Sequence, residues 1–255
     1  MDRNPSAGHH PGVKRILAAL RQRGVDEEEL TALSSAPQDL AQFWAECADP
    51  ELLMRVAGAA GLDPRWSVAA ACDCAAAVSA YIGADETRPG LALAAGRAWL
   101  ERAIPAERCQ AAADAAEQAA VAYREARKTV AKAERRAYRA AAYAAFAASR
   151  AARAAAEAAL TTELDYDDDY TFEDAWNGAR IACAEGAAAV GKDAVEAAIS
   201  ATAARVTRQT SSDLAGRAAA HEARPGALKW AADLIRARIP AAAITASTEA
   251  TLGPA

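Results

Sequence analysis

Two constellations of opposite charge, separated by about ten residues, carry the only residue patterns in this chain that suggest chemistry. Between Arg124 and Arg153 the cations Arg124, Arg127, Lys128, Lys132, Arg135, Arg136, Arg139, Arg150 and Arg153 have only two acids among them, Glu125 and Glu134. Tyr123, Tyr138, Tyr143 and Phe146 are interleaved with them, and rings among guanidiniums can hold the phosphates and bases of a nucleic acid. The competing reading, which we take first, is a solvated helix face whose tyrosines pack on neighbouring helices. The second constellation is the acidic run Asp165, Asp167, Asp168, Asp169, Glu173 and Asp174. Its carboxylates either neutralise the chain's own arginine-rich helix or present a phosphate-like row to a basic partner such as a nuclease cleft. Asp165, Asp167 and Asp169 also alternate as in the first half of a calcium loop. Tyr170 stands where that loop needs glycine and Trp176 where it needs a bidentate glutamate, so no metal is assigned.

Catalytic signatures are missing. There is no glycine-rich phosphate loop, no zinc-protease motif, no CxxC pair and no nucleophile elbow, and no motif calls for a cofactor. Of three histidines, His9 and His10 sit in a polar terminus and His221 has no evident partner, which leaves acid–base catalysis little to draw on. Cys47, Cys72, Cys74, Cys109 and Cys183 are odd in number and mostly lie in apolar helical sequence, so they read as buried thiols. Two apart on a helix, Cys72 and Cys74 point about 200° from each other and cannot chelate one metal.

The elements that must position these groups are helical. Pro105 to Leu160 has no interior glycine or proline and is dominated by alanine, which gives up no side-chain entropy on entering a helix. One unbroken helix there would be about 80 Å long, so it projects, bends or folds into a hairpin, and we expect an arm of two long pieces. Asp49-Pro50 and Asp63-Pro64 are N-cap and first-turn signals, Thr210 to Ser212 opens a further helix, and Arg224-Pro225 should open the last. Gly191 should interrupt the helix after Trp176. The expected division is a flexible start over 1–12, helices over 13–104, the alanine- and arginine-rich arm over 105–162, an acidic loop over 163–172, helices over 173–240 and a flexible tail over 241–255. A weak echo links Arg88-Pro89-Gly90, Trp99 and Pro105 to Arg224-Pro225-Gly226, Trp230 and Pro240.

The fold class is therefore all-α: an alanine-rich multi-helix bundle or stacked helical hairpins with a long central helical arm. Alanine methyls bury little area, so Trp44, Trp66, Trp99, Trp176 and Trp230 are the expected structural anchors. A net charge of −5 argues against a dedicated nucleic-acid binder while leaving room for a local basic surface. Neither a membrane span nor a secretory leader is evident, which makes the cytoplasm the expected compartment.

Phe43-Trp44 to Cys47, Asp49 to Gly61, the helix around Cys72-Asp73-Cys74, Arg88-Pro89 with Trp99, and Ala232 to Pro240 together resemble a family of alanine-rich bacterial proteins catalogued as immunity proteins through genomic association with toxin systems. The resemblance spans about residues 40 to 240 and implies a non-enzymatic helical protein that binds a protein partner, such as a basic toxin, and occludes it. Its motifs concern packing and carry no catalytic set. The second reading is a helical scaffold or homo-oligomer in which the alanine seam packs on copies of itself. The third is nucleic-acid binding through the Arg124 to Arg153 face.

Overall fold

The computed structural model describes residues 11–22, 40–102, 104–132, 134–163 and 169–252, with the side chains of 11–13, 15, 19, 22, 161–163, 169–177, 251 and 252 excepted. Asp165, Asp167 and Asp168 lie outside the described residues, as do His9, His10 and the early part of the expected flexible terminus. Within them the chain forms ten α-helices and no strand: α1 Pro11–Gln22, α2 Leu40–Glu46, α3 Pro50–Ala59, α4 Pro64–Val78, α5 Arg88–Leu100, α6 Ala106–Thr129, α7 Arg135–Glu163, α8 Asp169–Thr210, α9 Asp213–Arg238 and α10 Ala241–Leu252.

Local chemistry sets the starts of the early helices. Asp49 accepts hydrogen bonds from the N–H groups of Glu51 and Leu52 (2.9 and 3.3 Å) and Asp63 accepts from that of Arg65 (2.9 Å), each followed by a proline whose missing N–H is no loss in a first turn. Ser212 caps α9 by accepting from the Ala215 N–H. The alanine-rich stretch folds back on itself between Thr129 and Arg135, so the arm is a hairpin of α6 and α7. At the turn Thr129 Oγ1 donates to the Ala126 carbonyl (2.9 Å), a side-chain bond that competes with helix continuation, and the next residue, Val130, is extended.

Alanine makes α7 the centre of the fold. Its middle is buried on nearly every side, from Ala140 to Ala159, because α4, α5, α6 and α8 all pack on it. Methyl-sized side chains let backbones approach closely, and Ser149 adds a buried hydrogen bond from its hydroxyl to the Ala113 carbonyl on α6 (2.8 Å). This seam, the basis of the self-assembly reading, is covered by the chain's own helices. On the other side α8 carries α3, α4 and α9. The larger side chains collect where α1 to α4 meet α9 and α10: Ile16, Leu20, Trp44, Leu53, Ile235 and Ile244 are all fully buried. Trp44 Nε1 donates to the Ile239 carbonyl (3.0 Å), and Arg236 Nη1 donates to the carbonyls of Trp44 (3.3 Å) and Cys47 (2.5 Å).

Several expectations are corrected. Helix α8 runs through Gly191 without a break, because that glycine is a contact point: an added Cβ would lie 3.0 Å from Pro50 Cβ. Arg224-Pro225 is interior to α9, where proline forfeits one backbone hydrogen bond, and packing of Ala231, Ala232 and Ile235 outweighs that loss. Since Arg88-Pro89 opens a helix, the internal echo marks no structural repeat. The tail is helical as far as Leu252, with Ile244 in the core. The acidic loop is shorter than 163–172, for Glu163 and Asp169 both belong to helices. Among the tryptophans Trp44 and Trp99 are buried and Trp230 half-buried, whereas Trp66 is 38% exposed; the side chain of Trp176 lies outside the described residues. The thiols of Cys72, Cys74, Cys109 and Cys183 are buried and unpaired, with Cys47 partly so. Although Cys72 and Cys74 point apart, both are buried because α4 is covered on opposite sides.

Candidate anion-binding cleft

The α6–α7 turn gathers six of the nine cations between Arg124 and Arg153 into one depression. A cleft of about 790 Å³ is lined by Arg127 and Lys128 from the end of α6, Lys132 from the turn, and Arg135, Arg136 and Arg139 from the start of α7; α8 forms its floor, and α9 adds Arg217 and Arg224. These eight cations face two carboxylates, Glu196 and Asp213. In a chain whose net charge is −5, that is a strong local reversal of sign.

Both carboxylates are engaged several times over. Asp213 receives Arg136 (2.7 Å) and Arg217 (3.0 Å), with Lys132 at 3.9 Å, and these contacts, Arg136 foremost, hold its carboxyl below the usual range. Glu196 takes Arg224 (2.5 Å) and Arg139 (3.6 Å). Lys128 leans on Glu125 of its own helix (2.6 Å). Arg127 and Arg135 are exposed and pair with no carboxylate among the described residues, Arg135 reaching only the Val130 carbonyl at 3.5 Å.

Helix ends sharpen the field. Arg127 and Lys128 suit the carbonyl end of α6. Arg135 and Arg136 do the reverse, placing cations in the first turn, which has no acid, at the positive N-terminus of a 29-residue helix that Glu134 immediately precedes. That arrangement opposes stability, and such local rule-breaking is expected where a surface serves a ligand. Gly216 lets the first turn of α9 close on this region. An added Cβ would collide with Thr207 Oγ1 and lie 3.0 Å from the Ala203 carbonyl and 3.3 Å from Arg136 Nε, so glycine is what brings Asp213 over Arg136. Thr207 Oγ1 and Arg136 Nε are both buried without a hydrogen-bond partner.

A second cleft, about 680 Å³, adjoins the first and shares Arg127 and Arg139 with it. Here the walls are Val121, Tyr143 and Phe146, with Arg124, Arg150, Glu117, which is held by Arg153, and the buried Asp193. The guanidiniums of Arg124 and Arg150 each lie 5.8 Å from the Phe146 ring centre, and that of Arg139 lies 5.4 Å from Tyr143. Asp193 Oδ2 is 2.8 Å from Arg150 Nη1, yet no donor points at it, and burial outweighs the arginine to push its carboxyl up to about 7.

The sequence patch thus divides. Arg124 to Arg139 and Arg150 line the two clefts, while Arg153 is held by Asp114 (3.1 Å) and Glu117 (2.7 Å) on α6. Tyr143 and Phe146 face a cleft. Tyr123 is occupied elsewhere, accepting from the Gly83 N–H (3.1 Å) and meeting Tyr138 edge-on at 6.1 Å. Asp169, Glu173 and Asp174 fall in the first turns of α8, which makes the second half of the formal calcium loop helical. No group of three or more metal-ligating side chains occurs among the described residues, and no helix among them is long and apolar enough to cross a membrane. Sequence reading missed Asp193, Glu196, Asp213, Arg217 and Arg224. Arg217 and Arg224 are seven apart and so share a helix face, the one signal that could have found them.

Fold and site together define an all-helical protein with an arginine-walled double cleft. No family model, curated protein or solved structure matches the chain.

Proposed function

We propose that this is a non-enzymatic binding protein that holds a polyanionic ligand in the double cleft. One observation carries the reading: eight cations and two already engaged carboxylates line the larger cleft of an otherwise acidic chain. Electrostatic binding of this kind weakens steeply as salt rises, since each phosphate contact releases counterions. The test is calorimetric titration of the full chain with inorganic tripolyphosphate at two salt concentrations. Binding that weakens with salt and is lost in Arg127→Glu/Arg135→Glu supports the proposal. No binding at low salt, or an unchanged affinity in that variant, refutes it. Both arginines are exposed, so the fold should tolerate the change.

Neutralisation of a basic protein toxin, implied by the family resemblance, is a second proposal. What favours it is the acidic run Asp165 to Asp174, which would face such a partner. It is tested by changing Asp167, Asp168 and Asp169 to Asn and measuring recovery of a stoichiometric basic protein in pull-down from the native host; equal recovery with the wild type counts against that role.

A further inference from the structure

We infer that the double cleft takes a nucleotide unit, with an aromatic base in the smaller cleft and its phosphates in the larger one. This deepens the polyanion reading and rests on it. The two clefts differ in chemistry in the way such a ligand requires. The larger has eight cations and no aromatic side chain in its wall, and the smaller sets the rings of Tyr143 and Phe146 among planar guanidiniums. A base is flat and π-rich, and it stacks equally on rings and on guanidinium planes. Arg124 and Arg150, each 5.8 Å from the centre of Phe146, provide both kinds of surface in one place.

Continuity is the second element. Arg127 and Arg139 line both clefts, so a ligand leaving the aromatic side meets a guanidinium at once and then the cations of the α6–α7 turn. Each cleft, at about 680 and 790 Å³, has the size of a small-molecule site. An acidic peptide would use the larger cleft alone, and its flexible carboxylates would gain nothing from stacking. Inorganic polyphosphate would likewise leave the aromatic wall empty. Because every base has a π-face, the arrangement selects a base attached to phosphates without selecting which base. A free nucleoside triphosphate and a single-stranded oligonucleotide share this chemistry.

The experiment is calorimetry on the full chain at one low salt concentration and without divalent metal, using tripolyphosphate, ATP, a six-residue oligoadenylate and a hexaglutamate peptide. The expected result is that ATP or the oligoadenylate binds at least tenfold more tightly than tripolyphosphate. Phe146→Leu should abolish that advantage while leaving tripolyphosphate affinity unchanged. Saturation transfer from protein aromatic protons to adenine H2 and H8 should be visible in the wild type and lost in the variant. Tighter binding of ATP identifies a free nucleotide, and tighter binding of the oligoadenylate a strand. Equal affinities for tripolyphosphate and the nucleotides, a hexaglutamate affinity matching theirs, or a Phe146→Leu effect on all ligands alike would overturn the inference and leave the polyanion reading standing. Failure of tripolyphosphate and nucleotides alike would sink both.

Discussion

Gly58→Ala should destabilise the protein although it replaces glycine by the best helix former in the last turn of a helix. Taken alone, the change is worth at most about 1 kcal/mol in favour of α3. Position 58 is, however, where α3 meets α8 at backbone distance: an added Cβ would lie 2.5 Å from Ala184 Cβ, against about 3.5–4.0 Å for an ordinary carbon contact. Ala184 has no rotamer to yield, so the helices must separate by roughly 1 Å. The Gly58 carbonyl also accepts from buried Arg180 Nη1 at 2.8 Å, a bond that the separation stretches. Overpacking of this kind costs about 1–3 kcal/mol, and loss at a hydrogen bond to a charged donor about 1.5–3 kcal/mol more if it is complete. After the propensity gain we expect a net loss of about 2–4 kcal/mol, which for a chain of this size lowers Tm by on the order of 5–15 °C. Gly226→Ala is the control. Nothing lies within 4 Å of its added Cβ on exposed α9, so the propensity gain should survive as a stabilisation of about 0.5–1 kcal/mol. Helicity followed by circular dichroism during thermal and guanidinium unfolding measures both. A Gly58→Ala variant as stable as the wild type, or equal losses at the two positions, would refute the close-approach argument.

Removing the Trp99 side chain, which is buried and lies under the Arg65 guanidinium at 5.9 Å, should cost about 3–5 kcal/mol in chemical denaturation, and unaltered melting of Trp99→Ala would contradict its role as an anchor. Asp193 provides a pH test. Its folded carboxyl is pushed up to about 7 from an ordinary 3.8, so the folded chain binds more protons than the unfolded one between about pH 4 and 7. This group's contribution to stability therefore falls as pH rises through that window and is level above it. Asp193→Asn should lack the fall and end more stable than the wild type by a few kcal/mol at pH 8, with the two converging near pH 4 in parallel urea titrations; parallel curves would contradict the burial argument. Burial also pushes the thiols of Cys72 and Cys74 up to about 12 and that of Cys109 up to about 11, and raises Cys183 as well. A disulfide exchange reagent at neutral pH should titrate at most the partly exposed Cys47 in the native protein and all five cysteines after denaturation, and rapid native labelling of more than one would be the contrary result.

The helical architecture was legible because its signals are local. Asp49-Pro50 and Asp63-Pro64 state their own helix starts in adjacent residues, and the alanine content of α6 and α7 requires no knowledge of neighbours. What failed were readings of glycine and proline as punctuation. Gly191 and Pro225 both lie inside long helices, since Pro50 across the interface fixes one and the buried face of α9 overrides the other, and neither partner is near in sequence. Trp66 failed for the same reason, its exposure being decided by which helices happen to cover α4.

The site was legible by half. Charge counting along the chain finds Arg124 to Arg139, but it cannot distinguish a solvated stripe from a cleft, because that depends on what stands opposite. The opposite wall comes from Glu196, Asp213, Arg217 and Arg224, about 60 to 90 residues further on, and they change the meaning of the patch in two directions at once. Their two carboxylates neutralise several arginines, as the solvated-face reading anticipates, and their two arginines restore the excess that those carboxylates remove. Ion pairing that served stability alone would have matched the charges. Asp213 would have sufficed for Arg136, and the first turn of α7 would carry acids where it has Arg135 and Arg136. The surplus cations stand in a concave surface against a helix N-terminus, where each raises the work of holding the others together. An anion entering the cleft relieves that repulsion, which ties the unfavourable charge pattern of the free protein to its affinity for a ligand.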